Sequence, residues 1–421
     1  MIGLCDCNNF FVSCQRIFRP DLDGKPVMVL SGNDGCVIAR SNEVKTLGIK
    51  MGVPLFQVKD IVKKNKITLF SANHKLYADI SCRVMETLRQ LTSKIEVYSV
   101  DEAFIDFSGI DSAKLKSQGE EISKIIRRNT GVPVSIGIAP SKTLAKVASE
   151  LCKKYPKLNG CCVMQRPKDI EKVLRKLPIE DVWGIGRKSS KKLQMLNIIT
   201  AYDFTLLDKN VVQSQLSITG VRTWKELQST PAIELQTTAA HQSISIGRSF
   251  AKNLKTLEEL HSMIVIFATT IADKLRRQGS CTTQITTYIY TNHHHTDAPQ
   301  RYESDTVKLE VPTDSTIELV NVVTESLKKI FLSGYEYKKA GVICSNFTRK
   351  NEVQNSLFDT INREKHNSLM RSIDHINERY GSKSVTPAAT SGVEINTNRQ
   401  YLSPNYTTAW EDVLKVVMSN Q

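Results

Sequence analysis

The sequence predicts a multidomain α+β protein, and three observations carry that reading. Its 421 residues exceed what a single hydrophobic core usually holds. Residues 1–154 alternate strand-like and helix-like runs, the pattern of an antiparallel sheet covered by helices. After a stretch that reads as purely helical, a second series follows in the order strand, helix, strand, strand, helix, strand, a βαββαβ unit.

Each element has its own justification. Ile2-Gly3-Leu4-Cys5 is a short apolar run ending in Asp6 and Cys7, a strand that must turn into a helix at about Asn9. A second strand closes on Lys25-Pro26-Val27-Met28-Val29-Leu30. Residues 31–74, punctuated by Gly32, Gly35, Gly48 and Gly52, predict turns and short helices. Periodicity then predicts a helix from about Tyr77 to Leu91, a strand hairpin from Ile95 to Phe107 and a helix from Leu115 to Asn129. A strand from Val132 to Ile138 and a helix from Ser141 to Lys154 complete this part. Residues 168–235 read as all-helical. The later series predicts strands at Ser243 to Phe250, Thr282 to Tyr290, Ser304 to Val311 and Ala340 to Phe347. Its helices are expected at Thr256 to Gln278 and Ser315 to Leu332. Beyond Arg349 the chain is polar and weakly periodic, which predicts a partly flexible tail with an amphipathic segment around Trp410 to Val417.

Lys and Arg number 57 against 43 Asp and Glu, a net charge of +14. Between Ser141 and Lys192 there are fourteen basic residues and five acidic ones, so this segment holds nine of the fourteen net charges. A local basic surface fits a polyanion, and nucleic acid is the usual one. The ten cysteines form no CxxC pair, and Cys5 and Cys7 lie two apart on a strand, pointing away from the face of Asp6. Structural zinc is not expected, and such scattered thiols fit a reducing cytosol. His293-His294-His295 reads as exposed loop, since no other ligand cluster accompanies it. There is no basic n-region of a signal peptide, and the longest apolar run, Met263 to Ala268, is far short of a membrane span. The sequence therefore predicts a soluble cytoplasmic protein with no membrane partner.

Two acidic signatures carry the chemistry. Asp6 interrupts the first apolar strand, and Asp101-Glu102 stands near the bend of the later hairpin. Adjacent residues on a straight strand point to opposite faces, but at a bend both can reach one site. A buried unpaired carboxylate is costly and normally has a partner or a metal. Brought together, Asp6, Asp101 and Glu102 would hold two divalent cations such as Mg²⁺, which takes carboxylate oxygens and substrate phosphates. A solvated acidic pair at a strand end is the plainer reading of Asp101-Glu102. In the helical stretch, Val182-Trp183-Gly184-Ile185-Gly186-Arg187-Lys188 and its basic follow-on form a helix-hairpin-helix turn whose N–H groups can face a DNA phosphate. A simple tight turn between helices is the alternative.

In this order the strings resemble the Y-family of translesion DNA polymerases, over essentially the whole chain. The resemblance rests on Cys5-Asp6-Cys7-Asn8-Asn9-Phe10-Phe11, Phe18-Arg19-Pro20-Asp21-Leu22, Gly24-Lys25-Pro26-Val27 and Asn33-Asp34-Gly35-Cys36-Val37-Ile38-Ala39-Arg40. It continues with Ser99-Val100-Asp101-Glu102-Ala103-Phe104, Lys142-Thr143-Leu144-Ala145-Lys146, Asp181 to Arg187, Tyr337-Lys338-Lys339-Ala340-Gly341-Val342 and Leu402 to Thr408. It implies a right-hand polymerase with a palm at 1–22 and 75–167, fingers at 23–74, a thumb at 168–235, a little finger at 241–348 and a C-terminal tail at 349–421. It implies error-prone, template-directed synthesis past lesions in SOS mutagenesis, on primer-template DNA with dNTP as substrate. Asp6, Asp101 and Glu102 would bind two Mg²⁺, with the Cys7 carbonyl as a further ligand. Lys45 and either Lys153 or Lys157 would contact the triphosphate, and Phe10 and Phe11 would lie beside the nucleotide. Phe11 would be the steric gate against a 2′-hydroxyl, unless both rings are core. Gly184, Gly186, Arg187, Lys188, Lys191 and Arg248 would meet DNA.

Two departures concern nucleotide selection. Position 11 is Phe where the similar chains tend to have Tyr, and the neighbouring aromatic of other branches is Asn9 here. Gln354-Asn355-Ser356-Leu357-Phe358 resembles the bacterial sliding-clamp pentapeptide, in which Gln354 anchors by hydrogen bonding and Leu357 and Phe358 fill an apolar pocket. The resemblance also suggests a UmuD-type accessory dimer and a RecA-type filament as partners. Two other readings stand beside it: a different palm enzyme such as a nucleotide cyclase, and a DNA-binding scaffold of a mutagenesis complex that has lost its chemistry. A cyclase needs no helix-hairpin-helix, and a scaffold needs no carboxylates.

Overall fold

The computed structural model describes residues 1–236, 240–295, 297–354, 356–381, 384–390 and 397–414. The chain divides into two compact units, Met1–Thr238 with Arg399–Gln421, and Ala239–Asn398.

The first unit opens with β1 (Ile2–Cys7) and α1 (Phe10–Phe18), followed by β2 (Val27–Leu30), β3 (Val37–Arg40), α2 (Asn42–Thr46), α3 (Leu55–Lys64) and β4 (Thr68–Ser71). Next come α4 (His74–Leu91), β5 (Ile95–Val97), β6 (Glu102–Asp106), α5 (Leu115–Thr130), β7 (Val134–Ala139), α6 (Lys142–Lys154) and β8 (Cys161–Val163). The helical stretch holds α7 (Pro167–Leu174), α8 (Arg187–Met195), α9 (Ala201–Thr205) and α10 (Lys209–Leu227).

Five strands form one sheet in the order β5-β6-β1-β7-β8, antiparallel except for the β7–β8 pair. One face is covered by α1, α4 and α5 through Val12, Leu76, Ile80, Val84, Ile122 and Ile126. The other face is covered by α6 and the helical stretch, through Leu144, Ala148, Val182, Leu193 and Val221. Burial on both faces leaves β7, Val134–Ala139, buried along its whole length, and its one polar side chain, Ser135, donates to Asn8 Oδ1 at 2.9 Å. Gly137 lets α6 approach this strand closely. A Cβ there would lie 2.2 Å from both the Ala145 carbonyl oxygen and the Ser149 nitrogen.

The sequence reading differs from the structure in four places. Residues 31–74 contain not only turns and short helices but also β3 and β4, which flank β2 in a separate three-stranded sheet, β3-β2-β4. β4 pairs parallel to β2, a long-range contact that a four-residue run does not advertise. β8 is likewise a three-residue strand without readable periodicity. The stretch beyond Arg349 is not all tail, since it contains a helix at Arg363–Tyr380 and a segment that returns to the first unit. The expected amphipathic segment holds only a 3₁₀ turn at Trp410–Asp412, and residues 415–417 lie outside the described residues.

In the second unit, β9 (Ser243–Leu254), α11 (Leu257–Gln278), β10 (Ser280–Thr291), β11 (Tyr302–Thr313), α12 (Thr316–Ile330) and β12 (Tyr337–Arg349) form the βαββαβ unit. The antiparallel sheet order is β11-β10-β12-β9, and α11 and α12 cover one face through Ile264, Phe267, Ala268, Ile271, Leu319 and Val323. Thr256 and Glu259 form a capping box that starts α11. The extra helix, α13 (Arg363–Tyr380), is held to the unit by Arg276 on Asp374 at 2.6 Å and by Arg363 on Glu318 at 3.0 Å. No helix among the described residues is long and apolar enough to cross a membrane.

Candidate active site

Strand alternation decides what each residue of β1 faces. Leu4 packs with Phe104 and α6 on one face, while Cys5 and Cys7 pack with α1 and α4 on the other. Asp6 shares the Leu4 face and turns its carboxylate toward α6, where it meets Lys153. Antiparallel pairing sets Glu102 of β6 directly opposite Asp6, so the two carboxylates occupy the same face as cross-strand neighbours.

Asp101 stands one residue before β6, in the bend from β5. Its carbonyl accepts the Cys7 N–H at 2.9 Å, tying the bend to the end of β1. Ser99 locks the bend further. Its hydroxyl donates to Asp101 Oδ1 at 2.6 Å and accepts the N–H groups of Asp101 and Glu102 at 3.2 and 3.0 Å.

Asp6 is 6% exposed. Burial pushes its carboxyl up, Lys153 pulls against that, the charges of Glu102 and Asp101 add to it, and the balance lies at about 7. Lys153 is the cation that opposes this rise. Helix α6 supplies three lysines on one face, at positions 142, 146 and 153. Lys153 Nζ lies 2.7 Å from Asp6 Oδ2 and 2.7 Å from Glu150 Oε1. Burial disfavours its charge, but Asp6 and Glu150 outweigh that and raise its affinity for the proton. Lys146 Nζ lies 2.7 and 3.0 Å from the two oxygens of Glu102, and Lys142 Nζ lies 2.6 Å from Glu96 Oε2 on β5.

With Asp6 and Glu102 on lysines, no three acidic, histidine or cysteine side chains among the described residues converge on one point as they stand. The donors nevertheless fit a hard divalent cation. They are oxygens from Asp6, Asp101 and Glu102 beside the Cys7 peptide, and a carboxylate oxygen that accepts from a lysine keeps a second lone pair.

A basic group adjoins the carboxylates. Burial lowers the affinity of Lys45 for its proton, and the charges of Arg40 and Lys153 lower it further. Arg40 itself has Nε and Nη1 buried without a hydrogen-bond partner. The sequence reading missed Arg40. It ends a short strand and the quoted string Asn33 to Arg40 without any assigned role, and it joins the cluster through its charge and that of Lys153 acting on Lys45. Lys157 sits in the exposed turn Pro156–Leu158, whereas Lys153 reaches Asp6.

Asn9 adopts a left-handed conformation, φ 47°, and so turns β1 into α1. Its side-chain amide donates to Asn42 Oδ1 on α2 at 3.2 Å. Phe10 is buried in the core, and Phe11 stays partly exposed. The Phe11 ring stacks on Tyr77, with centroids 4.3 Å apart at 14°.

The glycine turn precedes α8. Gly184 has φ +92°, and a Cβ there would meet Thr223 Oγ1 at 2.6 Å, so conformation and space both require glycine. Gly186 caps the N-terminus of α8 in open space. Arg187, Lys188 and Lys191 project into solvent. In the second unit, Arg248 is exposed on the edge strand β9. In the pentapeptide, Leu357 is 99% and Phe358 89% exposed, and Asn355 lies outside the described residues.

The profile of the impB/mucB/samB family matches residues 5–150, and its C-terminal domain matches 241–357. The family's HHH motif matches 167–198, and a domain of unknown function, DUF4113, matches 367–416. Protein UmuC of Salmonella typhimurium is 38% identical, covering 99% of this chain and 100% of that one. Protein ImpB of the same organism is 36% identical over 98% and 99%. DNA polymerase IV of Desulfatibacillum aliphaticivorans is 29% identical over 91% of this chain and 95% of its own. Among solved structures, an insertion ternary complex of Dbh DNA polymerase superimposes with TM-score 0.56 at 22% identity, over 82% of this chain and 99% of that one. A Y-family chimera of Dbh and Dpo4 reaches TM-score 0.66 at the same identity and coverage.

Proposed function

The chain belongs to the impB/mucB/samB family of Y-family DNA polymerases, and from that membership we infer how its own residues carry the reaction. It is a DNA-directed DNA polymerase of translesion synthesis in SOS mutagenesis, with a divalent cation as cofactor. We assign the palm to residues 1–22 and 75–167, the fingers to 23–74, the thumb to 168–235 and the little finger to 241–348. The C-terminal tail, 349–421, carries the clamp-binding motif at Gln354 to Phe358.

In this reading Asp6, Asp101, Glu102 and the Cys7 carbonyl hold two Mg²⁺. When bound, such ions favour attack by the primer 3′-oxygen and stabilise the leaving pyrophosphate. The protein's own residues orient and balance charge around that step. Ser99 fixes the bend that presents Asp101. Lys45, Arg40 and Lys153 form the positive surface for a triphosphate, and Phe11, backed by Tyr77, lies under the sugar. Gly184, Gly186, Arg187, Lys188 and Lys191 grip a backbone phosphate at the N-terminus of α8, and Arg248 offers a further phosphate contact. The partners are primer-template DNA, dNTP and, through Gln354, Leu357 and Phe358, the sliding clamp. A UmuD-type accessory dimer, a RecA-type filament and a cytoplasmic location accompany the same reading.

The single observation that carries this assignment is the placement of Asp6 opposite Glu102 with Asp101 bonded through its carbonyl to Cys7. Primer extension on a defined template tests it. Template-directed products are expected with Mg²⁺ and none after chelation. Products that survive chelation would overturn the metal assignment.

A further inference from the structure

Helix α6 crosses the sheet with its lysines in register with the strand order β5-β6-β1: Lys142 on Glu96, Lys146 on Glu102 and Lys153 on Asp6. The middle pair has an aromatic frame. Lys146 Nζ lies 4.8 Å from the centre of the Tyr98 ring and 5.5 Å from that of Trp183. The Trp183 indole N–H donates to the Tyr98 hydroxyl at 3.1 Å, and the two rings meet edge-on at 5.6 Å and 85°. Trp183 directly precedes Gly184, the positive-φ glycine of the turn before α8. Tyr98 directly precedes Ser99, which locks the bend of Asp101 and Glu102.

We propose that Lys146 is a positioning residue for Glu102, and that Trp183 and Tyr98 hold it in place, linking the DNA-gripping turn of the thumb to a catalytic carboxylate of the palm. The proposal rests on the polymerase reading above. A glutamate side chain has three free torsions, and a two-oxygen contact from one ammonium removes most of that freedom. The ammonium in turn has three N–H groups and a flexible stem, so a cation–π frame of two rings fixes where it sits. Lys146 shares Glu102 with any bound cation, so it orients the carboxylate and also competes for it.

The full chain carries the test, with Lys146→Met, Lys146→Arg and Trp183→Phe. In Lys146→Met the apolar bulk remains and the charge goes. Its kcat for single-nucleotide insertion should fall about tenfold, with dNTP KM and DNA affinity unchanged, because a carboxylate that swings misplaces what it holds. Mn²⁺ binding to the protein alone, followed by electron paramagnetic resonance, should tighten several-fold, since a competing cation has gone. Lys146→Arg should restore part of kcat. Trp183→Phe, which keeps a ring but loses the N–H, should lower kcat about threefold with DNA affinity intact. A Lys146→Met protein with wild-type kcat, or with Mn²⁺ affinity unchanged or weakened, overturns the proposal. So does a Trp183→Phe protein whose only defect is DNA affinity. Absence of extension by the wild-type chain would count against the polymerase reading, and the Mn²⁺ titration would still decide the role of Lys146.

Discussion

Asp101 is held differently from its two acidic neighbours. Asp6 and Glu102 rest on lysines, whereas Asp101 is fixed by the Ser99 hydroxyl and by its own carbonyl on Cys7. An amide at position 101 can keep the Ser99 contact and the shape of the bend while losing the charge. Asp101→Asn should therefore abolish primer extension, a rise of roughly 4 kcal/mol or more in the barrier. Its DNA affinity, measured by fluorescence anisotropy, should stay within about twofold of wild type because no phosphate contact is touched. Wild-type-like extension would remove Asp101 from the site. Phe11 yields a second expectation at this scale. Its ring is stacked on Tyr77, which gives it a rigid back, and a Phe gate excludes a 2′-hydroxyl by volume alone. Phe11→Ala should raise ribonucleotide incorporation by about tenfold or more, with a smaller fall in dNTP insertion. Matched dNTP and rNTP insertion rates give the ratio, and an unchanged ratio would pass the role to Asn9 or Phe10.

Helix α6 and the turn before α8 matter as elements. α6 lies close enough to β7 that Gly137 has no room for a methyl group. Gly137→Ala must push backbone against backbone, so it should cost about 1–3 kcal/mol of stability. The shift also displaces the lysine row, so a lower melting temperature and slower extension should appear together. A melting temperature equal to wild type would mean the helix is less closely packed than described. α8 presents Arg187, Lys188 and Lys191 to solvent at its N-terminal half, with no acidic residue in its first turn. Replacing Lys188 and Lys191 by Ala should reduce the slope of log affinity against log salt by about two if each meets one phosphate. The loss should be similar on unrelated sequences, and a sequence-selective loss would point to base reading instead.

On the scale of the whole molecule, the end of the chain is tied back to its beginning. In the first unit, the Ser71 N–H donates to the Tyr401 carbonyl at 2.9 Å, Gln15 Nε2 donates to Ser403 Oγ at 3.0 Å, and Tyr406 stacks on Phe18 at 4.5 Å. The segment from 399 thus spans the contact between α1 and the small sheet and braces both. In the second unit, the pentapeptide is bracketed by anchors. Lys350 pairs with Asp314 at 2.7 Å before it, and Arg363 pairs with Asp359 at 2.6 Å and Glu318 at 3.0 Å after it. Between them Leu357 and Phe358 stand almost wholly in solvent, two large apolar side chains with nothing to cover them. Changing both to Ala should leave unaided, distributive synthesis unchanged and remove stimulation by the sliding clamp. Clamp stimulation that survives the double substitution would defeat this assignment.

The sequence by itself determined the fold class, the long elements and the carboxylates, because these depend on short-range rules. Period 3.6 marks α4, α5, α11 and α12, and period 2 places Asp6 on the face away from Cys5 and Cys7. An acidic residue inside an apolar strand is legible without a structure, because burying it has a cost that something must offset. The polymerase reading was legible too, through strings whose joint order is specific. Tertiary structure alone decided the partners. That Lys146 meets Glu102 and Lys153 meets Asp6 depends on α6 crossing the sheet at one angle, and no spacing within α6 encodes the strand order beneath it. The same holds for Trp183 over Lys146, and for the return of residues 399–413 to α1. Each is a contact between segments far apart in sequence, and such contacts arise from packing, which local propensity does not carry.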